Sequence, residues 1–227
     1  MQGLTLVFDL DGTLIDTAPD LIRATNHVLG QAGLPAVPGA EIRPYVSFGA
    51  RRMIERGLEL NGIIRPAADV DGLFEQFIAF YAGNIAAESQ PYPSLRRTLD
   101  ELVCAGATLA VCTNKREDLS RQLLSELGMT QHFAAICGRD TFPVCKPHPD
   151  HLTGTIGKAG GDPRNAVMVG DSNTDVSTAN AAGIPVIGVT FGYTDVPMRQ
   201  LNADAVIDHY DEFPAALAAI LARSPAV

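Results

Sequence analysis

The chain has 227 residues, 46% of them hydrophobic and 19% charged, with a formal net charge of −9. It is long enough to bury a core, and this composition excludes disorder as the default. The acidic surplus argues against nucleic acid or an anionic membrane surface as partner, so an anionic substrate would need a locally placed cation. No apolar run approaches the roughly 20 residues that span a bilayer, and no basic region precedes the first apolar run, so a cytoplasmic location is expected.

In chain order, short aliphatic or β-branched runs at 4–8, 108–112, 134–137, 167–169, 186–189 and 205–207 predict buried parallel strands. Helical periodicity covers 95–103, stopped by Gly106, and 118–127, stopped by Gly128. This alternation predicts an α/β fold with a doubly wound, Rossmann-like parallel sheet. Between 17 and 89 the rhythm breaks. The periodicity at 21–29, 50–60 and 73–85 is helical, and Pro91 and Pro93 mark a return to the core. A long crossover packed on the sheet is one reading, but crossovers are normally far shorter. The expectation is an all-helical cap domain at 17–89, inserted into an α/β core formed by 1–16 and 90–227. Cys104, Cys112, Cys137 and Cys145 show no CxxC spacing and are expected as buried free thiols.

The first strand ends in Phe8-Asp9-Leu10-Asp11-Gly12-Thr13, at the end where open α/β sheets bind ligands. Extended backbone points alternate residues the same way, so Asp9 and Asp11 share a face. Two such carboxylates repel unless a cation or a shared proton lies between them, which suggests Mg²⁺. Taken alone, Asp-x-Asp-Gly also fits an ordinary turn or a calcium loop. A second acidic cluster, Gly170-Asp171-Ser172-Asn173-Thr174-Asp175, follows the strand at 167–169 and favours a carboxylate-lined site. Thr113 and Asn114 after the second strand could hold phosphate oxygens or cap the next helix. Lys146, between Cys145 and Pro147, stands before a helix. A lone lysine is more often a solvated charge.

In these residues the chain resembles the haloacid dehalogenase superfamily, matching Asp9-Leu10-Asp11-Gly12-Thr13, Thr113, Lys146 and Gly170-Asp171 with Asp175 in order. Within it the chain looks most like the phosphoglycolate phosphatase branch, through Leu14 with Asp16-Thr17, the segment 43–58, and Phe191-Gly192-Tyr193. It departs from that branch's Gly-x-Gly before the cap helix, reading Val46-Ser47-Phe48-Gly49-Ala50-Arg51. Because the cap is expected to choose the leaving group, this departure bears on substrate.

The resemblance implies a helical cap of the C1 type and a Mg²⁺-dependent phosphatase acting on a small phosphorylated metabolite such as 2-phosphoglycolate. Asp9 would be the nucleophile and Asp11 the acid and base. The metal would be held by Asp9, Asp171 and the carbonyl oxygen of Asp11. Lys146, Thr113 and the Asn114 N–H would gather phosphoryl charge, with Asp175 ordering Lys146 or a water from outside. Among Arg43, Arg51 and Arg52 of the cap, Arg51 is the candidate for a substrate carboxylate, although each could equally be a surface ion pair. Other readings are a sugar phosphomutase, a phosphatase for a sugar phosphate, nucleotide or pyrophosphate, and a non-catalytic phosphate-binding module. Thr13 favours hydrolysis over transfer, and no lysine lies between 17 and 89 to serve a phosphonate hydrolase.

Overall fold

Thr5–Phe8 (β1) is buried along its whole length, the pattern of a strand covered on both faces. In the computed structural model, which describes residues 1–63 and 67–223 (the side chains of 67–69 excepted), β1 lies inside a parallel sheet. The other members are Thr108–Cys112 (β4), Ala135–Cys137 (β5), Ala166–Gly170 (β6), Val186–Val189 (β7) and Ala205–Ile207 (β8). Two-residue strands, Ile15–Asp16 (β2) and Gln90–Pro91 (β3), flank the insertion. The sheet order is β5-β4-β1-β6-β7-β8, so the chain runs outward from β1 in both directions. The winding reverses at β1, and open α/β sheets bind ligands beyond the carboxyl ends of the strands at such a point, here those of β1, β4 and β6.

The sheet is wound with helices on both faces, as its strand pattern predicts. One face of β1, β4, β6 and β7 presents Val7, Ala110, Met168 and Val186 to Leu152 and Ile156 of Pro149–Lys158 (α7) and Val176 and Ala179 of Asn173–Ala182 (α8). On the other, Phe8 stacks on Phe213 of Phe213–Arg223 (α9) at 6.1 Å. Burying each large aliphatic side chain contributes about 1.5–3 kcal/mol. Leu95–Cys104 (α5) buries Leu95, Thr98, Leu99 and Leu102, the spacing of a single helix face, and Glu117–Glu126 (α6) repeats it with Leu119, Ser120, Leu123 and Leu124.

The chain divides into two compact units, Met1–Ile15 with Pro91–Val227, and Asp16–Gln90. The second holds Ala18–Gln31 (α1), Gly39–Ile42 (α2), Ala50–Leu60 (α3) and Ala67–Ala82 (α4), with α1 packed on α3 and α4. Its core includes Val28, Leu29, Met53, Ile54, Phe77 and Tyr81. The buried carboxylate of Asp20, at the start of α1, accepts the N–H groups of Glu88 and Ser89 at 3.0 and 2.8 Å and the Ser89 hydroxyl at 2.7 Å. In the segment before α3 the positive φ falls on Gly49, at 85°, so Ser47 needs no left-handed backbone.

Of the cysteines expected to be buried, Cys112 and Cys137 are, Cys145 is half-buried and Cys104 is exposed. Cys104 closes α5 on its solvent side, so its position follows from helix geometry and not from apolar character. All are free. Among the described residues no helix is long and apolar enough to cross a membrane.

Candidate active site

Asp9 stands one residue beyond β1, with its N–H on the Val169 carbonyl of β6 at 2.9 Å. Its Oδ1 accepts the Leu10 N–H at 2.7 Å and lies 3.0 Å from the Lys146 ammonium. Lys146 is not the solvated charge that lone lysines usually are: it is 3% exposed and donates to Asp175 Oδ1 at 2.6 Å. Its backbone is tied on both sides. The Lys146 N–H donates to His151 Nδ1 at 3.1 Å, and the Lys146 carbonyl accepts from Asn114 Nδ2 at 3.0 Å. Because Nδ1 of His151 is an acceptor, its Nε2 carries the proton and donates to the Gly138 carbonyl at 3.1 Å. Burial, reinforced by the Lys146 charge, pulls the His151 pKa down to about 4, so the neutral ring fixes the lysine loop near neutral pH.

Asp171, at the carboxyl end of β6, is buried; its Oδ1 accepts from the Thr13 hydroxyl at 3.2 Å and its Oδ2 from the Tyr193 N–H at 2.7 Å. Gly12, at φ 83°, passes so close that a Cβ there would fall on the Asp171 carboxylate. Any other residue would be both strained and in collision. Asp175, in the first turn of α8, accepts the N–H and hydroxyl of Ser172 through Oδ2 and completes a capping box, while its Oδ1 faces Lys146.

The carboxylates that come together are Asp9, Asp171 and Asp175, with one oxygen from each within 4.8 Å of the others. The Asp11 side chain, expected alongside Asp9, turns to Lys115, whose Nζ lies 3.0 and 3.1 Å from its two oxygens. Asp175, expected to order Lys146 or a water from outside the metal shell, accepts from Lys146 at 2.6 Å and lies in the same cluster. Three carboxylates against the single Lys146 ammonium leave a formal charge of −2. Hard oxygen donors with that uncompensated charge fit a divalent cation of the Mg²⁺ type. Burial, assisted by the Asp175 charge and only partly countered by Lys146, raises the Asp9 pKa to about 6. Asp171 is raised well above the ordinary carboxylate range by burial and then by Asp175 and Asp9. Burial alone would depress Lys146, yet Asp175 and Asp9 hold it above the ordinary lysine value.

These shifts set an expected result. A carboxylate with a raised folded pKa adds stability below its unfolded value, near 4, and that contribution is lost as pH rises through the folded value. Without metal, Asp171→Asn therefore melts higher than the parent at pH 8, and its advantage shrinks as pH falls toward 5. Adding Mg²⁺ at pH 8 closes the gap, because the parent alone keeps the full donor set. Thermal melts at two pH values with and without Mg²⁺ test this, and a variant less stable than the parent in metal-free pH 8 buffer contradicts it.

Thr113 is buried, and its Oγ accepts the Lys115 N–H at 3.2 Å, leaving the hydroxyl proton to be donated. The Asn114 side chain latches the Lys146 loop, so the part expected of this residue toward phosphate rests on its backbone N–H. In the helical unit, Arg51 pairs with Asp71 and lies over the Phe74 ring at 5.5 Å. Arg43 pairs with Asp16, and Arg52 with Glu55 and Glu59. These are the surface ion pairs that arginines on helices commonly make. Sequence reasoning missed Lys115 and His151. The signal for Lys115 was its place two residues after Thr113, just past a strand end, while His151 had none, because its partners are backbone groups, the Lys146 N–H and the Gly138 carbonyl, which carry no mark in the sequence.

The family model described as haloacid dehalogenase-like hydrolase matches residues 6–189. The chain is 51% identical over 211 residues to a phosphoglycolate phosphatase of Agrobacterium fabrum, covering 93% of this chain and 91% of that protein. It is 49% identical to a phosphoglycolate phosphatase of Mesorhizobium japonicum, covering 99% of each. A crystal structure named as a predicted phosphoglycolate phosphatase from Haemophilus somnus superposes with a TM-score of 0.88 at 28% identity, over 96% of this chain and 99% of that one.

Proposed function

This chain belongs to the haloacid dehalogenase-like hydrolase family, and we propose that within it the protein is a Mg²⁺-dependent phosphatase that hydrolyses 2-phosphoglycolate through an aspartyl phosphate on Asp9. The observation that carries this reading is the Asp9 carboxylate at the end of the central strand, held by Lys146 beside the buried Asp171 and Asp175. With a pKa of about 6, Asp9 is an ionised nucleophile at neutral pH without losing its basicity.

An oxygen of Asp9 attacks phosphorus as the bond to the leaving oxygen breaks, and Asp11 gives the departing alkoxide a proton. Water then attacks the phosphorus of the aspartyl phosphate, Asp11 takes a proton from that water, and the bond to Asp9 breaks to release phosphate. The Lys146 ammonium and the Thr113 hydroxyl gather the charge on the transferring oxygens. Asp9 and Asp171, with the carbonyl oxygen of Asp11, would hold the metal, and Asp175 both orients Lys146 and adds an oxygen to the same cluster. When bound, Mg²⁺ supplies positive charge to the phosphoryl oxygens and keeps Asp9 ionised. The identities of 51% and 49% to proteins named phosphoglycolate phosphatase support the substrate.

Phosphate release from 2-phosphoglycolate, sugar phosphates, nucleoside monophosphates and pyrophosphate, each with Mg²⁺ and with a chelator, tests the reading. The expected result is a dominant, chelator-sensitive kcat/KM for 2-phosphoglycolate. A dominant value for another ester discards the substrate, and no hydrolysis of any discards the reaction.

A further inference from the structure

We propose that Lys115 is the residue that selects a carboxylate on the leaving group, an inference that rests on the phosphatase reading of Asp9 and Asp11. Lys115 follows Thr113 and Asn114 past the carboxyl end of β4, and its ammonium sits 3.0 and 3.1 Å from the two oxygens of Asp11. Its side chain is only 6% exposed. A lysine withdrawn from water this far is held there by charge, and the charge it meets is the acid that serves the leaving oxygen.

The position follows from the chemistry of the ester. To donate its proton, Asp11 stands within about 2.6–3.2 Å of the leaving oxygen. The Lys115 ammonium touches that same carboxylate, so a substituent close to the leaving oxygen falls beside it. In 2-phosphoglycolate the carboxylate carbon is two bonds from that oxygen. An ammonium has three donors and can serve two carboxylates at once. Lys146 cannot take this part, because Asp9 and Asp175 hold it on the phosphoryl side. Arg43, Arg51 and Arg52 are each paired with carboxylates of their own helical unit. Lys115 shares the α/β unit with Asp11 and reads the leaving group from there.

The experiment compares kcat/KM for 2-phosphoglycolate with that for ethyl phosphate, in which a methyl stands in place of the carboxylate, in the parent, Lys115→Met and Lys115→Arg. A hydrogen bond to a charged group predicts that the parent's preference for 2-phosphoglycolate falls by about 10- to 100-fold in Lys115→Met. Lys115→Arg recovers part of it, because the charge returns. The ratio is the readout, so a general loss from leaving Asp11 without its partner cancels. Equal losses on both esters would make Lys115 a positioning residue for Asp11 alone and overturn the proposal, as would an unchanged ratio. A parent with no preference for 2-phosphoglycolate removes the substrate reading as well, which separates the two failures.

Discussion

Asp9→Asn releases phosphate at no more than about 10⁻⁴ of the parent rate, the scale of loss when a covalent nucleophile is removed. The amide has the shape of the carboxylate and keeps an oxygen for the Leu10 N–H, so the strand end stays in place. It can neither attack phosphorus with an anionic oxygen nor carry the acyl phosphate. The substitution also relieves a buried charge whose pKa is already raised to about 6, so the folded protein is no less stable without metal. Steady-state phosphate release alongside a thermal melt checks both halves. Activity above about 1% of the parent in a well-folded variant would move the nucleophile elsewhere.

Lys146→Met loses hydrolysis and also stability, which distinguishes it from Asp9→Asn. Removing one partner of a buried ion pair costs about 3–5 kcal/mol, because the remaining charge is left uncompensated. Here the ammonium answers two carboxylates, Asp9 at 3.0 Å and Asp175 at 2.6 Å, and Asp171 is close by. For a chain of this size that corresponds to a fall in Tm of about 10 °C. Mg²⁺ restores part of the loss, and so does adding Asp175→Asn, which removes one of the stranded charges. Urea unfolding of the single and double variants, with and without Mg²⁺, measures this. A single variant as stable as the parent would mean that the carboxylates share protons and do not depend on the lysine.

The strands were legible because burial on both faces writes an uninterrupted apolar run. Residues 108–112, 186–189 and 205–207 coincide with β4, β7 and β8, β1 and β5 start one residue later than expected, and β6 is longer by one residue at each end. Their order in the sheet was not legible, since a run such as Val186–Val189 carries no mark of which neighbour it pairs with. The helix expected over 73–85 runs instead over Ala67–Ala82, displaced toward Asp71-Gly72, whose weak helical propensity hid the first turns. In the site, aspartates at two strand ends announced themselves by type and position. What each side chain faces did not. Asp11 turns to Lys115 and Asp175 joins the cluster because loops after β1, β4 and β6 converge, and that convergence exists only in the folded sheet.

The Asp20 carboxylate, by accepting the N–H groups of Glu88 and Ser89, ties the two ends of the helical segment to each other. To the sheet, everything between them is a loop already closed. The entropy of closing a loop grows only slowly with its length, and here the closure is made locally by one side chain. Helices between these anchors can therefore lengthen, shorten or be exchanged while the two chain crossings keep their spacing. The number and length of those helices are thus free to change while Asp9, Asp171 and Lys146, all in the other unit, stay in register.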